Sequence, residues 1–530
     1  MKKLDKFKRA LPSVAVSAAL SVLALSSAHA AEDAAGAGDF NYAVSGYVRG
    51  WLSMNLENQE EYKQAFGPNT KKHARGKLSM VRGSILVDND ASWNGIKFKA
   101  IARLDKEYKT NYLKDLEDMR TNLGPGNTIN TGGGKSITDN YNNFDFREFW
   151  VEAPIGDRTT VKFGRQQLVW GESDFFQAMD VVHGYNLSWR LFFEGENEEW
   201  RKPLILLSTK IRIPEANGLI AAYVRPGLDR CEDMGNTYDV RGGRWFFAPY
   251  RGFDASRINH VTNCETKGAD KDKWTYGIRW QGEYAGVNYS VAYLKAAAGD
   301  PVVNPSQLVS ANQYKGVQPK GLVSDFIHPN IDVLGLTVSG YSDSLDAVLS
   351  AEMAYVFDQP YNVGTGAFAG FVGPAGSNTG ANPGIGLNGI KEKDVLIAML
   401  RADKNLKFED ILGTTRPSFS SIQIFSRQIL NFKKSDDLAR LFFWGTKRKE
   451  NDTILTMFTV LNYRNDEINP GFAVGFDLVN GGGFAIPSVS MTFGDKWLAK
   501  LEADIFWDNG SNGTQFSGEK SQLFGYFKGS

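Results

Sequence analysis

Three scarcities narrow the classes of protein that this sequence can specify. Histidine occurs five times in 530 residues and cysteine twice, so catalytic dyads and metal sites have few side chains to draw on. Neither a G-x-S-x-G nor an H-E-x-x-H motif is present. After residue 30 no apolar run approaches 18 residues, the length expected of a transmembrane helix. We therefore predict no enzyme activity, no cofactor and no metal site.

The first 30 residues have the pattern of a secretory signal peptide. Five basic residues precede an apolar run over residues 14–25, and Ala28-His29-Ala30 matches an A-x-A cleavage site. Cleavage near Ala30 would leave residues 31–530 as the mature domain. Since the leader carries five basic residues and Asp5, its removal changes the formal net charge from 0 to −4. That balance argues against nucleic acid as a partner.

Period-two alternation of apolar and polar residues recurs along the mature chain. Each run has one apolar and one polar face over about 9 to 11 residues, the length of a tilted strand that crosses a bilayer. In the clearest run, over residues 497–507, Leu501 and Ile505 alternate with Glu502 and Asp504. Similar runs cover residues 42–53, 96–105, 287–293 and 346–358. The pattern predicts an all-β fold, a closed antiparallel transmembrane β-barrel in the bacterial outer membrane.

The connections between these runs alternate between short and long, as in barrels with one periplasmic and one external rim. The short ones are residues 88–93, 154–157, 214–218, 285–286, 342–344, 465–469 and 494–495. The long ones are residues 57–75, 108–140, 171–202, 227–270, 297–330 and 359–391. We expect 16–18 strands. Aromatic residues at run ends suggest interfacial girdles; they are Trp51, Tyr108, Trp150, Trp280, Trp497 and Trp507.

Residues 171–202 differ from every other connection. The segment is too aromatic for a solvated loop and too charged for a lipid-facing strand, so we expect it to plug or cap the lumen. Candidate lumen or constriction residues are Arg165, Gln167, Trp170, Glu172, Asp174, Phe175, Phe176, His183, Asn186, Trp189, Arg190, Phe192 and Phe193. The alternative interpretation is structural, with Arg and Glu side chains that only fix the segment to the barrel wall.

The two cysteines, Cys231 and Cys264, lie in one polar stretch of an exported protein. An oxidising compartment permits a disulfide between them, and two cysteines alone coordinate a metal poorly. We predict a Cys231–Cys264 disulfide.

The same central stretch carries a family resemblance. The motifs Phe163-Gly164-Arg165-Gln166, Trp170-Gly171-Glu172-Ser173 and Asp180-Val181-Val182, followed by Asn186-Leu187-Ser188 and Arg190, resemble the most recognisable block of the domain-of-unknown-function 1302 (DUF1302) family. Where relatives tend to show Asn-Pro and a close Arg-Pro, this chain has His183-Gly184-Tyr185-Asn186 and a later Lys202-Pro203. The resemblance covers about 40 residues.

Membership would imply a Gram-negative outer-membrane protein surrounded by lipid and suspected of moving hydrophobic or lipid-like compounds. It would also imply a periplasmic lipoprotein and an inner-membrane transporter of the resistance-nodulation-division type as possible partners. No catalytic residues come with the resemblance. Three functions stay open: a channel or transporter for apolar small molecules or lipids, a general diffusion porin for small polar solutes, and an outer-membrane barrel enzyme.

Overall fold

The computed structural model describes residues 40–58, 73–115, 136–172, 178–186, 197–230, 233–236, 258–259, 274–305, 314–316, 324–364, 389–439, 447–507 and 522–529. The predicted signal peptide lies outside these residues and stays a prediction. The described residues form 21 strands: β1 (Asn41–Asn55), β2 (Leu78–Trp93), β3 (Ile96–Glu107), β4 (Asn143–Ile155), β5 (Thr159–Gln166), β6 (Leu204–Ile213), β7 (Gly218–Arg225), β8 (Ile258–Asn259), β9 (Thr275–Tyr284), β10 (Val287–Ala297), β11 (Val302–Pro305), β12 (Ser324–Ile327), β13 (Asn330–Ser342), β14 (Ala347–Asn362), β15 (Ile390–Leu406), β16 (Ser418–Ile429), β17 (Asn451–Val460), β18 (Ile468–Asp477), β19 (Gly483–Phe493), β20 (Trp497–Trp507) and β21 (Gln522–Gly529).

Eighteen of the strands described form one closed sheet, and β8, β11 and β12 form a separate three-stranded sheet. In the large sheet each strand pairs antiparallel with the next, as β1 does with β2 and β2 with β3. β21 pairs with both β20 and β1, with Lys528 opposite Arg49, so the sheet has no free edge. The predicted fold, a closed antiparallel barrel of 16–18 strands, is confirmed.

Alternation along the strands separates an outer from an inner face. On β20 the side chain of Leu501 is exposed, whereas that of Glu502 is buried in the interior. The same contrast holds on β14 between Met353 and Glu352. Because the outward faces are apolar and every strand pairs on both sides, the molecule is a barrel of the outer-membrane type.

The connections alternate in length as predicted up to β17, after which the connection 478–482 is shorter than the connection 461–467 before it. The first predicted short turn lies elsewhere. Residues 88–93 belong to β2, and the hairpin turns at Asn94-Gly95, where φ is 47° and 81°. An Asn-Gly pair with positive φ is the usual two-residue hairpin turn. Lys99 on β3 forms ion pairs with Asp88 and Asp90. These two carboxylates lie on the inner face of β2, whereas Asn89 between them accepts a hydrogen bond from the exposed Tyr42 hydroxyl.

Helical structure is limited to short turns in the part of the chain described. They are residues 111–115, Asn197–Trp200 and Glu409–Leu412, with 3-10 turns at Ile137–Asn140, Pro214–Ala216, Tyr314–Gly316 and Lys434–Asp436. No described helix has the length and apolar character needed to cross a membrane.

An apolar core lies inside the barrel. Inward-facing side chains of β6, β7, β10 and β13–β16 contribute to it, among them Leu206, Leu294, Val333 and Ile397, all nearly inaccessible to solvent. The other contribution comes from the connection between β5 and β6, through residues such as Met179. The lumen wall is therefore apolar where that connection packs against it.

Candidate functional site: a segment held inside the barrel

The plug segment, residues 167–203, connects β5 to β6, and those of its residues that the structure describes lie in the lumen. Its described parts are residues 167–172, 178–186 and 197–203. They contact inward-facing residues on opposite sides of the sheet, with Glu199 bonded to β1 and β3 and Met179 bonded to β14. The segment crosses the lumen between two walls, which favours a plug over a cap.

Gly164 sets the entry of the chain into the lumen. Phe163 is exposed on the outer face, whereas Arg165 donates from Nη1 to Asp233 Oδ2 at 2.7 Å in the interior. Regular alternation would place residues 163 and 165 on the same face. Gly164 breaks the alternation with a φ of 132°, and a Cβ there would lie 2.2 Å from the carbonyl oxygen of Phe149. Only glycine fits this position.

On one wall the plug segment is held by an acidic clasp, Glu199 with Tyr47, Arg49 and Arg103. Arg49 donates two hydrogen bonds to the Glu199 carboxylate, at 2.8 and 3.0 Å, and the Tyr47 hydroxyl donates a third at 2.7 Å. Arg103 Nη1 lies 3.5 Å from the same carboxylate. The Arg49 guanidinium also lies 4.3 Å from the Tyr47 ring centre and 4.4 Å from that of Trp51. Because Arg49 and Glu199 are both buried, breaking their ion pair would be strongly destabilising.

On the opposite wall the plug segment packs into an apolar seat, Trp170 and Met179 against the glycines of β9 and β13. Met179 Sδ occupies the space of a side chain at Gly335, where a Cβ would lie 1.4 Å from the sulfur. Trp170 lies over Gly277, where a Cβ would lie 2.9 Å from the indole, and its ring meets Tyr223 edge-on at 5.3 Å. Glycine in these strands makes room for the plug segment.

Glu352 of β14 fixes the backbone beside this seat. Its carboxylate accepts hydrogen bonds from the backbone N–H groups of Glu172, at 2.6 Å, and Met179. Arg401 Nη1 donates to the Glu172 carbonyl oxygen at 3.3 Å, and Arg279 Nη2 lies 4.0 Å from the Glu172 carboxylate. Through Glu172 and Met179 the plug segment thereby contacts three barrel strands, β9, β14 and β15.

Hydrogen bonds within the plug segment connect its described parts to one another. Arg201 Nη2 and the Tyr185 hydroxyl both donate to Asp180 Oδ2, at 2.5 and 2.6 Å, and Arg201 Nη1 donates to Gln167 at 3.3 Å. Burial and the neighbouring Asp180 carboxylate raise the pKa of Tyr185 well above its ordinary value. The Tyr185 hydroxyl therefore stays a hydrogen-bond donor to Asp180.

His183 bridges the two ends of the plug segment. The Leu168 N–H donates to Nε2 at 2.8 Å, so this nitrogen carries no proton, and Nδ1 donates to the Lys202 carbonyl oxygen at 3.0 Å. The ring is therefore neutral. Burial, reinforced by the positive charge of Arg201, lowers the pKa of His183 to about 3.

A second connection, that between β7 and β9, lies against the plug segment through residues 233–236. Asn236 Oδ1 accepts from the Tyr185 N–H at 2.9 Å, and the Met234 carbonyl oxygen accepts from Lys202 Nζ at 3.3 Å. The plug segment is thus held by two walls and by this connection. No described group of three or more His, Cys, Asp or Glu side chains could hold a metal ion.

A family model described as "Protein of unknown function (DUF1302)" matches residues 11–529, nearly the whole chain. The chain belongs to the DUF1302 family. The resemblance seen over the central block is therefore confirmed. No functionally curated protein matches the chain by sequence.

Solved structures similar to this DUF1302 protein are outer-membrane proteins. Acinetobacter baumannii OccAB1 shares 10% identity at a TM-score of 0.46, over 94% of this chain and 99% of that one. The outer membrane protein opdK from Pseudomonas aeruginosa shares 6% identity at 0.42, over 92% and 98%. The outer membrane channel DcaP of Acinetobacter baumannii shares 10% identity at 0.38, over 94% and 99%. At these values the similarity carries no information about cargo.

The block of DUF1302 motifs maps onto the entry and the seat of the plug segment. Of the candidate residues, Trp170 and His183 are buried and hold the segment in place, and Gln167 bonds to Arg201. Arg165 bonds to Asp233, the Asn186 N–H donates to the Trp200 carbonyl oxygen, and the Glu172 side chain is partly exposed. Other candidates lie outside the described residues, namely Asp174, Phe175, Phe176, Trp189, Arg190, Phe192, Phe193, Cys231 and Cys264. The disulfide therefore stays a prediction.

The sequence did not single out the clasp. Trp51, assigned to an interfacial girdle, is buried in the lumen and packs on Arg49. Glu199 lies inside the predicted plug but is not among the candidate residues that the sequence suggested. A usable signal existed for Arg49, since a charge on the inner face of β1 needs a partner of opposite sign. The matching glycines on β9 and β13 had no sequence signal.

Proposed function

We propose that this DUF1302 protein is an outer-membrane channel or transporter for apolar small molecules or lipid-like compounds, with the plug segment as its gate. One observation carries the proposal, the apolar inner face of β6, β7, β10 and β13–β16 with residues such as Leu206, Val333 and Ile397. The interior of a water-filled porin is polar. An apolar cargo gains from such a wall once the plug segment leaves it.

The proposed route uses the surface that the plug segment now covers. In the closed state Met179 and Trp170 cover this apolar surface, and the clasp at Glu199 holds the segment across the lumen. Release of the clasp would free the seat for cargo of similar apolar character. Cargo and plug segment would then compete for the same wall.

Deleting residues 173–199 tests this proposal. The intact protein should show low steady conductance in planar bilayers and should carry an apolar fluorescent dye across proteoliposome membranes. The deletion should raise conductance and abolish selective dye transfer, because the barrel strands remain and the gate is lost. Deleting residues 365–388, in the connection between β14 and β15, is the matched control and should change neither. High conductance of the intact protein, unchanged by the first deletion, would replace this function with a porin.

A general diffusion porin for small polar solutes is the second candidate function. It is favoured by the inner face of β2, β3 and β5 near the short-turn end, where Asp88, Asp90, Lys99 and Lys162 are partly exposed and of mixed sign. Mixed charge suits polar solutes without selecting an ion. Liposome swelling with neutral sugars distinguishes the two functions, since only a porin should admit them with the plug segment intact.

We also propose, from family membership, an outer-membrane location after signal cleavage near Ala30. The short-turn end would face the periplasm. A periplasmic lipoprotein and a transporter of the resistance-nodulation-division type would then meet the barrel at this rim. Affinity purification with the barrel as bait, before and after deletion of short-turn residues 408–413, tests that docking.

A further inference from the structure

Gln423 on β16 is a buried amide without a hydrogen-bond partner. Its side chain is 3% exposed, and its neighbours in the strand, Ile422 and Ile424, face outward, so Gln423 points into the lumen. Neither Nε2 nor Oε1 has a partner, and among the described residues it alone has two such buried atoms. Buried amides are otherwise nearly always satisfied, so the site calls for a missing partner.

The residues beside Gln423 are polar but already engaged. Arg401 on β15 and Thr456 on β17 lie opposite it in the register. Arg401 donates to Asp403 at 2.8 Å and to the Glu172 carbonyl oxygen of the plug segment at 3.3 Å. Its charge is therefore balanced by Asp403. The Gln423 amide therefore offers a ligand one uncharged hydrogen-bond donor and one uncharged acceptor.

An apolar row lies directly next to this amide. Met399, Phe425 and Ile454 occupy the adjacent inward positions on β15, β16 and β17, on the side of the long connections. All three are buried. Successive inward residues on a strand are about 6.6 Å apart, so the apolar row begins within one such step of the amide.

We propose that Gln423 is the polar subsite for the cargo, and that the cargo is an apolar molecule with one uncharged group that both donates and accepts hydrogen bonds, such as a hydroxyl. Nε2 would donate a hydrogen bond to the hydroxyl oxygen, and Oε1 would accept a hydrogen bond from the hydroxyl O–H. The apolar body would lie along Met399, Phe425 and Ile454. Arg401 also donates to the Glu172 carbonyl oxygen, so the cargo would bind beside the plug segment. This inference rests on the proposed function.

Equilibrium binding to the full-length protein in lipid nanodiscs tests it, with radiolabelled hexadecanol, hexadecanoate and hexadecane as probes. Hexadecanol should bind roughly tenfold more tightly than hexadecane, the expected worth of one to two net hydrogen bonds. Gln423→Leu, of similar volume, should remove this preference and leave hexadecane binding unchanged. Ser421→Ala, on the same face of β16, is the matched control and should retain the preference. Thermal unfolding without ligand checks folding, and Gln423→Leu should not lower the melting temperature, because no bond is lost.

Three outcomes would overturn the subsite. The hexadecanol preference could survive in Gln423→Leu, which would leave a buried water as the partner of the amide. Hexadecanoate could bind more tightly than hexadecanol, which would point to an anionic head group. The third outcome is that none of the three probes binds the wild-type protein. The first two outcomes leave the proposed transport function standing, since it is judged by dye transfer in proteoliposomes, and only loss of that transfer contradicts it.

Discussion

The carboxylate of Glu199 accepts hydrogen bonds from both terminal nitrogens of Arg49, at 2.8 and 3.0 Å, and the two residues are 150 positions apart in the sequence. One residue belongs to the segment inside the lumen and the other to the first strand of the wall. Their side chains are almost inaccessible to solvent. The pair therefore fixes the position of the plug segment against β1.

We expect Glu199→Gln to loosen the plug segment. The substitution removes the carboxylate charge that accepts two hydrogen bonds from Arg49, whereas Arg103 keeps its ion pair with Asp105. Breaking a buried ion pair in this way costs about 3–5 kcal/mol. Single-channel recordings should show a higher open fraction, and thermal unfolding should begin earlier. Asp90→Asn is the control, since Asp90 is about half exposed beside Lys99 and its loss should cost at most about 1 kcal/mol. Equal conductance in both variants would contradict the role of the clasp.

Gly335→Ala should displace Met179 from its seat. The new methyl group would lie 1.4 Å from the methionine sulfur, so the side chain has to leave. Gly340→Ala on the same strand is the control, because its nearest neighbour would be Val287 Cγ2 at 3.4 Å.

A second substitution makes this test specific. Met179→Ala alone should cost about 2–5 kcal/mol through the cavity that it leaves. Adding Met179→Ala to Gly335→Ala removes the clash. The free energy of unfolding of the double variant should therefore fall by less than the sum of the losses in the two single variants. Strict additivity in urea unfolding would show that the two residues do not meet.

Acid should weaken the docking of the plug segment through His183. Its pKa is lowered from the ordinary 6.5 to about 3 when the segment is docked. Above pH 6.5 both states are neutral and the contribution is fully present. As the pH falls from 6.5 towards 3, only the released segment binds a proton, so at pH 5 docking loses about 2 kcal/mol.

Protease sensitivity of residues 173–199 between pH 7.5 and pH 4 measures this effect. Cleavage in the wild-type protein should increase as the pH falls. His183→Gln keeps an acceptor for the Leu168 N–H without a proton to bind, so its cleavage should depend less on pH. The dependence should not vanish, because burial also lowers the pKa of His328 to about 4. Identical profiles for both proteins would exclude His183 as the titrating group.

The orientation of β19 and β20 can be tested at one depth. Leu501 faces outward and is about half exposed, whereas Ser488 faces inward opposite Glu502. Arginine at Leu501 should cost about 2–4 kcal/mol near the bilayer midplane. Arginine at Ser488 meets the Glu502 carboxylate and should be tolerated. Folding titrations into liposomes measure both, and equal costs would contradict the assigned faces.

The barrel was predictable because one face of every strand must meet lipid, and this requirement leaves period-two alternation in runs such as residues 497–507. The prediction of a turn at residues 88–93 was wrong because polar residues that face the inside of a barrel resemble turn residues in sequence. Asp88 and Asp90 face the lumen and pair with Lys99. The Asn94-Gly95 pair was the better signal.

The plug segment was predictable from its mixed aromatic and charged composition, and its partners were not. Which wall binds Glu199 depends on how strands far apart in sequence close on one another, and Trp51 has the same local pattern as a girdle residue. Gly277 and Gly335 are ordinary strand glycines in the sequence. Their meaning lies in what packs against them, Trp170 and Met179.

Closure of the sheet and the clasp on the plug segment share one strand. β1, which bears Arg49, is also the strand that meets β21 at the closing seam, and the amino group of Lys528 on β21 lies 4.2 Å from the ring centre of Tyr47. Tyr47 in turn bonds to Glu199. The first strand of the wall therefore carries both the pairing that closes the barrel and the side chains that hold the plug segment, so a substitution in β1 acts on both.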